Sequence, residues 1–250
     1  MNSDKVIIIT GASRGIGAAT ARAAAEGGYS VCINYRQSAD AADRLVAEIA
    51  ATGGRAIAIA ADTSIETDVL RLFKTVDESL GPVSALVNNA GILRQQMPVS
   101  EMTADRINEV MAVNVTGCFL CAREAIKRMS TSRGGKGGAI VNVSSGASRL
   151  GAPGEYVDYA ASKGALDTFT IGLAKEVAGD GIRVNAVRPG FIYTDIHASG
   201  GEPERVDRVK TQVPMKRGGH PEEVARAIMW LLSDEASYTT GAFIDVTGGK

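Results

Sequence analysis

Short runs that are apolar on both faces alternate along the chain with longer amphipathic runs, and few architectures accept that pattern. The short runs are KVIIIT (5–10), YSVCINY (29–35), RAIAIAA (55–61), ALVNNA (85–90), GAIVNVSS (138–145), IRVNAV (182–187) and GAFIDVT (241–247). A strand apolar at every position must be covered on both sides, which is the condition of a parallel sheet with helices on each face. Helical patterns fall between them at 15–27, 39–52, 66–80, 103–130, 155–179 and 221–233. The alternation predicts an α/β fold, a doubly wound parallel sheet of about seven strands. Glycine closes helices in AATGG (50–54) and LGP (80–82). Pro221 and the acidic residues after it open the last helix, whose apolar stripe runs through Val224, Ile228 and Leu231 or Leu232. No repeat and no linker interrupts the pattern, so residues 1–250 are expected to form a single domain.

Composition narrows the function. A formal net charge of −1 provides no basic footprint for nucleic acid. No run approaches the ~18 apolar residues of a membrane span, and MNSDKVIIIT is too short in apolar residues for a signal peptide, so a cytoplasmic protein is expected. Cys118 and Cys121 form a CxxC, but inside an apolar helical run and without further ligands. Together with Cys32 they read as buried free thiols, and no metal is expected. RGGKGG (133–138) reads as a solvated turn.

The first strand runs into TGASRGIGAA, a strand, glycine turn and helix start in that order. Gly11, Gly15 and Gly17 let the backbone approach a pyrophosphate, and the free N–H groups of a helix N-terminus favour its charge. The same letters, GASRG, also fit a nucleophile elbow with Ser13 as nucleophile and His197 or His220 as base. The first strand is an awkward place for such an elbow. The second strand ends INYRQS, where an acidic residue would bind the ribose 2′-OH of NAD. Arg36 stands there instead, with Arg14 in the glycine turn, and guanidinium forks suit a 2′-phosphate. NADP(H) is therefore favoured over NAD(H). Asp62, with Thr63 beside it, either meets the adenine edge or caps the next helix.

YAASK (159–163) places Tyr159 and Lys163 one helical turn apart on one face. With TGASRGIG (10–17), NNAG (88–91), VNVTG (113–117), VSS (143–145) and RPGFIYT (188–194) in order, the chain resembles the short-chain dehydrogenase/reductase family along nearly its whole length. The resemblance implies a Rossmann-type domain, a nicotinamide cofactor and interconversion of a carbonyl and an alcohol. It implies Tyr159 as general acid/base, Lys163 as the charge beside it and holder of the nicotinamide ribose, and Asn114 as holder of a water in a relay to Lys163. An ammonium fixed beside a phenol favours the phenolate. The cofactor residues implied are Thr10, Gly11, Ser13, Arg14, Gly15, Ile16 and Gly17 in the turn, with Arg36, Asp62 and Thr63 beyond it. Asn88, Ala90 and Gly91 are implied near the adenosine ribose, and Pro189, Gly190, Ile192 and Thr194 at the nicotinamide carboxamide, joined by Tyr159 and Lys163.

The catalytic serine is implied at Ser145, with Ser144 and Ser148 open, because GAPGEYVD (151–158) carries one residue more than the family spacing. The substrate wall is expected from 92–98, 146–156 and 191–215, the last within the irregular 191–220, a long excursion of the kind that forms lids. That excursion is polar, which leans towards a sugar or another small hydroxylated or keto compound. The resemblance extends to glucose 1-dehydrogenase-like and 3-oxoacyl-carrier-protein-reductase-like members, and an acidic carrier would need a basic dock such as Lys127, Arg128, Arg133 and Lys136. The enoyl-reducing branch has a longer tyrosine–lysine spacing. The family also implies a homo-oligomer, tetramer or dimer, built on the helices 103–130 and 155–179. A protein that binds the cofactor without turnover is the alternative of another class.

Overall fold

A computed structural model describes residues 5–250. Its seven strands are β1 (Val6–Ile9), β2 (Ser30–Tyr35), β3 (Arg55–Ala60), β4 (Ala85–Asn88), β5 (Gly138–Val143), β6 (Ile182–Pro189) and β7 (Phe243–Val246). All pair in parallel, in the order β3-β2-β1-β4-β5-β6-β7. The order reverses between β1 and β4, and the carboxyl ends of strands flanking such a reversal leave a crevice for a ligand.

The VIII of β1 explains why its run is apolar throughout. Val6 and Ile8 point into one core, Ile7 and Ile9 into the other, and all four are buried. Each such side chain contributes about 1.5–3 kcal/mol on burial. One core is covered by α3 (Glu66–Ser79), α5 (Gly117–Met129) and α7 (Val157–Val177), through Leu72, Phe73, Met129 and Leu173. The other is covered by α1 (Gly15–Glu26), α2 (Ala39–Ala51) and α10 (Pro221–Leu232), where Ala18, Ala21 and Ala24 bring α1 close to α10. The stripe Val224, Ile228 and Leu231 is buried as expected, and the His220 N–H donates to Glu223 Oε2 at 2.8 Å at the start of α10.

Three expectations are corrected. The helix expected over 103–130 is α4 (Ala104–Met111), one π-helical turn (Ala112–Thr116) and α5. The extra residue of the π turn leaves the apolar periodicity on either side intact, so the sequence pattern hides it. The excursion 191–220 is also more ordered than its composition suggests: it contains α8 (Ile196–Ser199) and α9 (Arg205–Val209). The expected strand 138–145 stops at Val143, leaving Ser144 and Ser145 beyond the sheet end. A short α6 (Ala147–Leu150) follows them.

Candidate active site

The glycine turn is built by two asparagines, Asn34, which sequence spacing did not single out, and Asn89 of the NNAG motif. Asn34 accepts the Gly11 N–H at 3.2 Å and donates to Ala61 O at 3.0 Å. Asn89 donates to Thr10 O at 2.8 Å and to Gly11 O at 3.0 Å, while Thr10 Oγ1 accepts the Asn89 and Ala90 N–H groups at 3.0 and 2.9 Å. Gly11 adopts φ +61°, and a Cβ there would lie 2.9 Å from Ala90 Cα. A Cβ on Gly17 would lie 2.6 Å from Asn89 Nδ2 and 2.8 Å from Ala12 Cα. Thr10 and Gly17 thus sit behind the turn. Gly11, Ser13, Arg14, Gly15 and Ile16 line the cleft itself, which encloses about 870 Å³. No acidic residue lies in the first turn of α1, so its N–H groups face the cleft without a competing carboxylate.

At one end of the cleft Arg14 is exposed and, among the described residues, has no ion-pair partner. Arg36 Nε lies 3.4 Å from Asp62 Oδ2. Both partners are accessible, and such a pair contributes about 0–1 kcal/mol, so a phosphate can replace the carboxylate at little cost. Asp62 Oδ1 accepts the Ser64 N–H at 3.0 Å and the Ser64 hydroxyl at 2.6 Å, closing a turn ahead of α3, which begins only at Glu66. Asp62 and Thr63 line the cleft.

Tyr159 and Lys163 stand on the first turns of α7 and line the same cleft. Lys163 is 3% exposed. Its Nζ donates to Val143 O at 2.8 Å and lies 5.6 Å from the Tyr159 ring centroid, and among the described residues no carboxylate pairs with it. A Cβ on Gly91 would lie 3.5 Å from that Nζ and 3.4 Å from Asn114 Oδ1, so glycine keeps the space beside the ammonium open. Asn114, in the π turn, is fully buried. Its Oδ1 accepts the Ile92 N–H at 2.8 Å, and its Nδ2 donates to Ile92 O at 3.1 Å and to Ser162 Oγ at 3.0 Å. The Tyr159 N–H donates to Asp158 Oδ1 at 2.9 Å, and Arg106 Nε donates to Asp158 Oδ2 at 2.8 Å. That pairing satisfies a free amide at the start of the helix carrying Tyr159.

The two adjacent serines diverge. Ser144 is buried and donates to Asp167 Oδ1 at 2.6 Å; Asp167 is held in turn by Arg188 Nε at 3.0 Å. Both serines line the cleft, but Ser145 is only half-buried and accepts the Ala147 N–H at 3.1 Å, whereas the Ser148 hydroxyl turns back to Ser145 O at 2.8 Å. The extra residue before Tyr159 is absorbed in a turn where Gly151, Ala152 and Gly154 have φ of +76°, +45° and +73°.

Among the remaining residues expected at the cofactor, Ala90, Gly91, Pro189, Gly190, Ile192 and Thr194 line the cleft. Asn88 does not: it is buried between strands, donating to Asn142 Oδ1 at 2.9 Å, and its Oδ1 has no partner. A Cβ on Gly15 would lie 3.3 Å from Thr194 Cγ2, so the root of the excursion rests on the glycine turn.

The wall expected to be polar is mixed: Thr194, Asp195, Ser199, Arg208 and Gln212 line the cleft beside Phe191, Ile196 and Val209, with Arg208 paired to Glu202, and Leu93, Leu150 and Tyr156 add apolar lining from the facing segments. Ser13 hydrogen-bonds neither histidine. His197 Nε2 lies 3.0 Å from Ile192 O, its Nδ1 is buried without a partner, and burial lowers its pKa; His220 stacks on Tyr193. No base is therefore in place for a Ser13 nucleophile. Half of the basic dock is already paired: Lys127 and Arg128 pair with Glu124, and Arg128 also with Asp77. The three thiols are free and buried, and burial pushes Cys118 up to about 11. Among the described residues no three potential ligands gather as a metal site.

A family model described as "Enoyl-(Acyl carrier protein) reductase" matches residues 11–250. The Escherichia coli protein named "Uncharacterized oxidoreductase YgfF" is 62% identical over 98% of this chain and 99% of its own. A 3-oxoacyl-[acyl-carrier-protein] reductase of Synechocystis is 42% identical over 98% of this chain and 96% of its own. Among solved structures, a dehydrogenase/reductase from Sinorhizobium meliloti superposes with a TM-score of 0.91 at 33% identity, covering 99% of this chain and 95% of that one. A Serratia marcescens short-chain dehydrogenase/reductase mutant does so with a TM-score of 0.90 at 31% identity, covering 99% and 98%.

Proposed function

The chain belongs to the short-chain dehydrogenase/reductase family of oxidoreductases, and from that premise we propose that it interconverts a compact carbonyl compound and its alcohol with NADP(H). The observation that carries the reading is the Lys163 ammonium, buried with a backbone carbonyl as partner, beside Tyr159 in a cleft that also exposes Arg14 and Arg36. A buried ammonium without a carboxylate is costly, and a cleft that keeps one is arranged for a ligand. Bound there, NADP(H) would supply or accept the hydride. Arg14 and Arg36 would hold its 2′-phosphate, the α1 N-terminus its pyrophosphate, and Lys163 its nicotinamide ribose. Ser145 would donate to the substrate oxygen, and Tyr159 would give that oxygen its proton in reduction and take it in oxidation. Lys163 would favour the phenolate once the proton has left. Asn114 would brace the segment at Ile92 and hold the water through which protons reach Lys163.

The relatives named 3-oxoacyl-carrier-protein reductases support a second reading, in which the carbonyl is a 3-oxoacyl thioester. Leu93, Leu150, Phe191 and Val209 in the wall support an acyl substrate, as Asp195, Ser199 and Gln212 support a hydroxylated one, while the paired state of Lys127 and Arg128 weighs against a carrier protein at that surface. The cytoplasm suits such an enzyme, and no helix of the described residues is long and apolar enough to cross a membrane. Phe119, 49% exposed and 3.9 Å from Phe169 between centroids, and Ile171, 42% exposed, support a homo-oligomer, tetramer or dimer, joined along α5 and α7.

The test is a fluorescence titration with NADPH and with NADH, on the wild type and on Arg36→Ala. NADPH should bind more tightly than NADH, and the substitution should weaken NADPH alone by about 10–100-fold, the worth of a charge-assisted hydrogen bond. Equal binding of NADH would overturn the cofactor assignment. Tyr159→Phe should then keep NADPH binding and lose about 10²–10⁴-fold in kcat on an activated ketone. Wild-type turnover in that variant would remove Tyr159 from the chemistry. NADPH binding by a wild type that reduces no carbonyl would leave a binding protein.

A further inference from the structure

Side chains from three segments meet over the cleft next to Tyr156, one turn before Tyr159. Gln96 comes from the stretch after β4, Glu155 and Tyr156 from the turn ahead of α7, and Glu202, Arg205 and Arg208 from the excursion after β6. Arg205 is 8% exposed. Its NH1 lies 3.0 Å from Glu202 Oε2 and 3.2 Å from Glu155 Oε1, and its NH2 bonds Glu155 Oε2. The guanidinium carbon is 5.1 Å from the Tyr156 ring centroid and 5.7 Å from that of Phe191. Gln96 Nε2 donates to Glu202 Oε2 at 2.7 Å, and the Tyr156 hydroxyl to Gly200 O at 3.2 Å. Gly200 fits too closely for a side chain: a Cβ would lie 2.8 Å from the Tyr156 hydroxyl and 2.9 Å from Leu93 Cδ2.

Pairing with Glu202 alone would stabilise α9, since the two residues belong to the same segment. The second carboxylate, Glu155, stands on the opposite wall, on the turn that carries the extra residue before Tyr159. Arg205 therefore joins the two walls, and its donors are occupied by protein carboxylates instead of being free to receive an anionic substrate. Parting the walls would break the Arg205–Glu155 pairing and lift the guanidinium from the Tyr156 ring, which makes opening costly. The arrangement is that of a closed lid.

We propose that Arg205, bridging Glu155 and Glu202, latches the 193–212 segment over the substrate end of the cleft and restricts the carbonyl substrate to compact molecules, disfavouring long acyl chains. This rests on the carbonyl-reductase reading above. Arg205 is a specificity-determining residue here and takes no part in proton or hydride transfer.

The experiment compares wild type, Arg205→Met and Glu155→Gln with NADPH and two probes, the N-acetylcysteamine thioesters of acetoacetate and of 3-oxododecanoate. Limited proteolysis runs in parallel without cofactor. Wild type should prefer the short thioester. Arg205→Met should shift the ratio of kcat/KM towards the long one by about tenfold, a change of the size one pocket contact can make. It should also speed cleavage within 193–212. Glu155→Gln keeps the pairing of Arg205 with Glu202 and the side-chain volume, so it tests the bridge even where Arg205→Met folds poorly; it should shift both readouts the same way by less. A wild type indifferent to chain length, or variants with unchanged ratio and unchanged cleavage, would overturn the latch. A wild type that binds NADPH and reduces neither thioester nor any other ketone would sink the carbonyl reading, and accelerated cleavage in the two variants would still support the latch as a conformational device.

Discussion

At the scale of single residues, the adjacent serines after β5 separate support from chemistry. Ser144 is buried against Asp167, which Arg188 also holds. Ser144→Ala should destabilise the fold by about 1–3 kcal/mol, the cost of leaving a buried acceptor short of a donor. It should leave the turnover of folded protein within a few-fold of wild type. Ser145→Ala should do the reverse, with an unchanged melting temperature and a kcat lower by about 10²–10³-fold, the usual effect of removing one donor to a developing oxyanion. Melting curves and turnover on the two variants together check the assignment, and a Ser144→Ala enzyme as inactive as Ser145→Ala would reverse it. The sequence could not divide these neighbours, because the extra residue before Tyr159 blurs the spacing. Burial divides them at once. Asn34 was invisible: a buried asparagine that braces a glycine turn leaves no periodic trace, only a polar residue at the end of an apolar run; Asn89 lies inside the NNAG motif, which singles out its neighbours and not Asn89 itself.

At the scale of elements, the glycine turn and the π turn are both one-residue effects with large consequences. Gly17→Ala should gain up to ~1 kcal/mol in helix propensity. It must also force a Cβ to within 2.6 Å of Asn89 Nδ2 and 2.8 Å of the backbone at Ala12 Cα and Gly11 O. Overpacking of that kind costs about 1–3 kcal/mol, and the backbone contacts cannot rotate away. The net expectation is a melting temperature lower by several degrees, at about 2–4 °C per kcal/mol for a chain of this size, and weaker NADPH binding. A variant as stable as wild type would mean the turn can open. The strands and their order of alternation were readable because each one buries both faces. The break at Ala112–Thr116 was not readable, since a single added residue shifts the register without spoiling either apolar stripe. The same limit applies to the excursion after β6. Its charges suggested a wet wall, and Arg205 and Arg208 do line the cleft, but already paired with Glu155 and Glu202, a pairing that the sequence does not show.

At the scale of the whole molecule, one parallel sheet with a core on each face directs both the glycine turn and the Tyr159–Lys163 helix to the same edge. That convergence follows from topology and was legible from the alternation alone. The cores themselves can be read out chemically. Cys32, Cys118 and Cys121 are all buried, with thiols shifted upward by desolvation. Native protein should therefore be nearly silent to a thiol-disulfide reagent at neutral pH and should titrate as three thiols in denaturant. Fast reaction of the native protein at Cys118 would show that α5 opens from the sheet. Saturating NADPH should slow any residual reaction, because a ligand that binds only the folded form stabilises it by about 2.7 kcal/mol at a hundredfold excess over Kd.

The near-complete internal pairing of charges after β6 has an evolutionary reading. Glu202, Arg205, Asp207, Arg208 and Lys210 are neutralised among themselves and by Glu155. A segment that balances most of its own electrostatics asks the scaffold for a short set of partners: Glu155, Gln96, Tyr156 and the close fit of Gly200 on Leu93. Exchanged together with those partners, it would let descendants of this chain acquire new substrate ranges while inheriting the sheet and the cofactor turn.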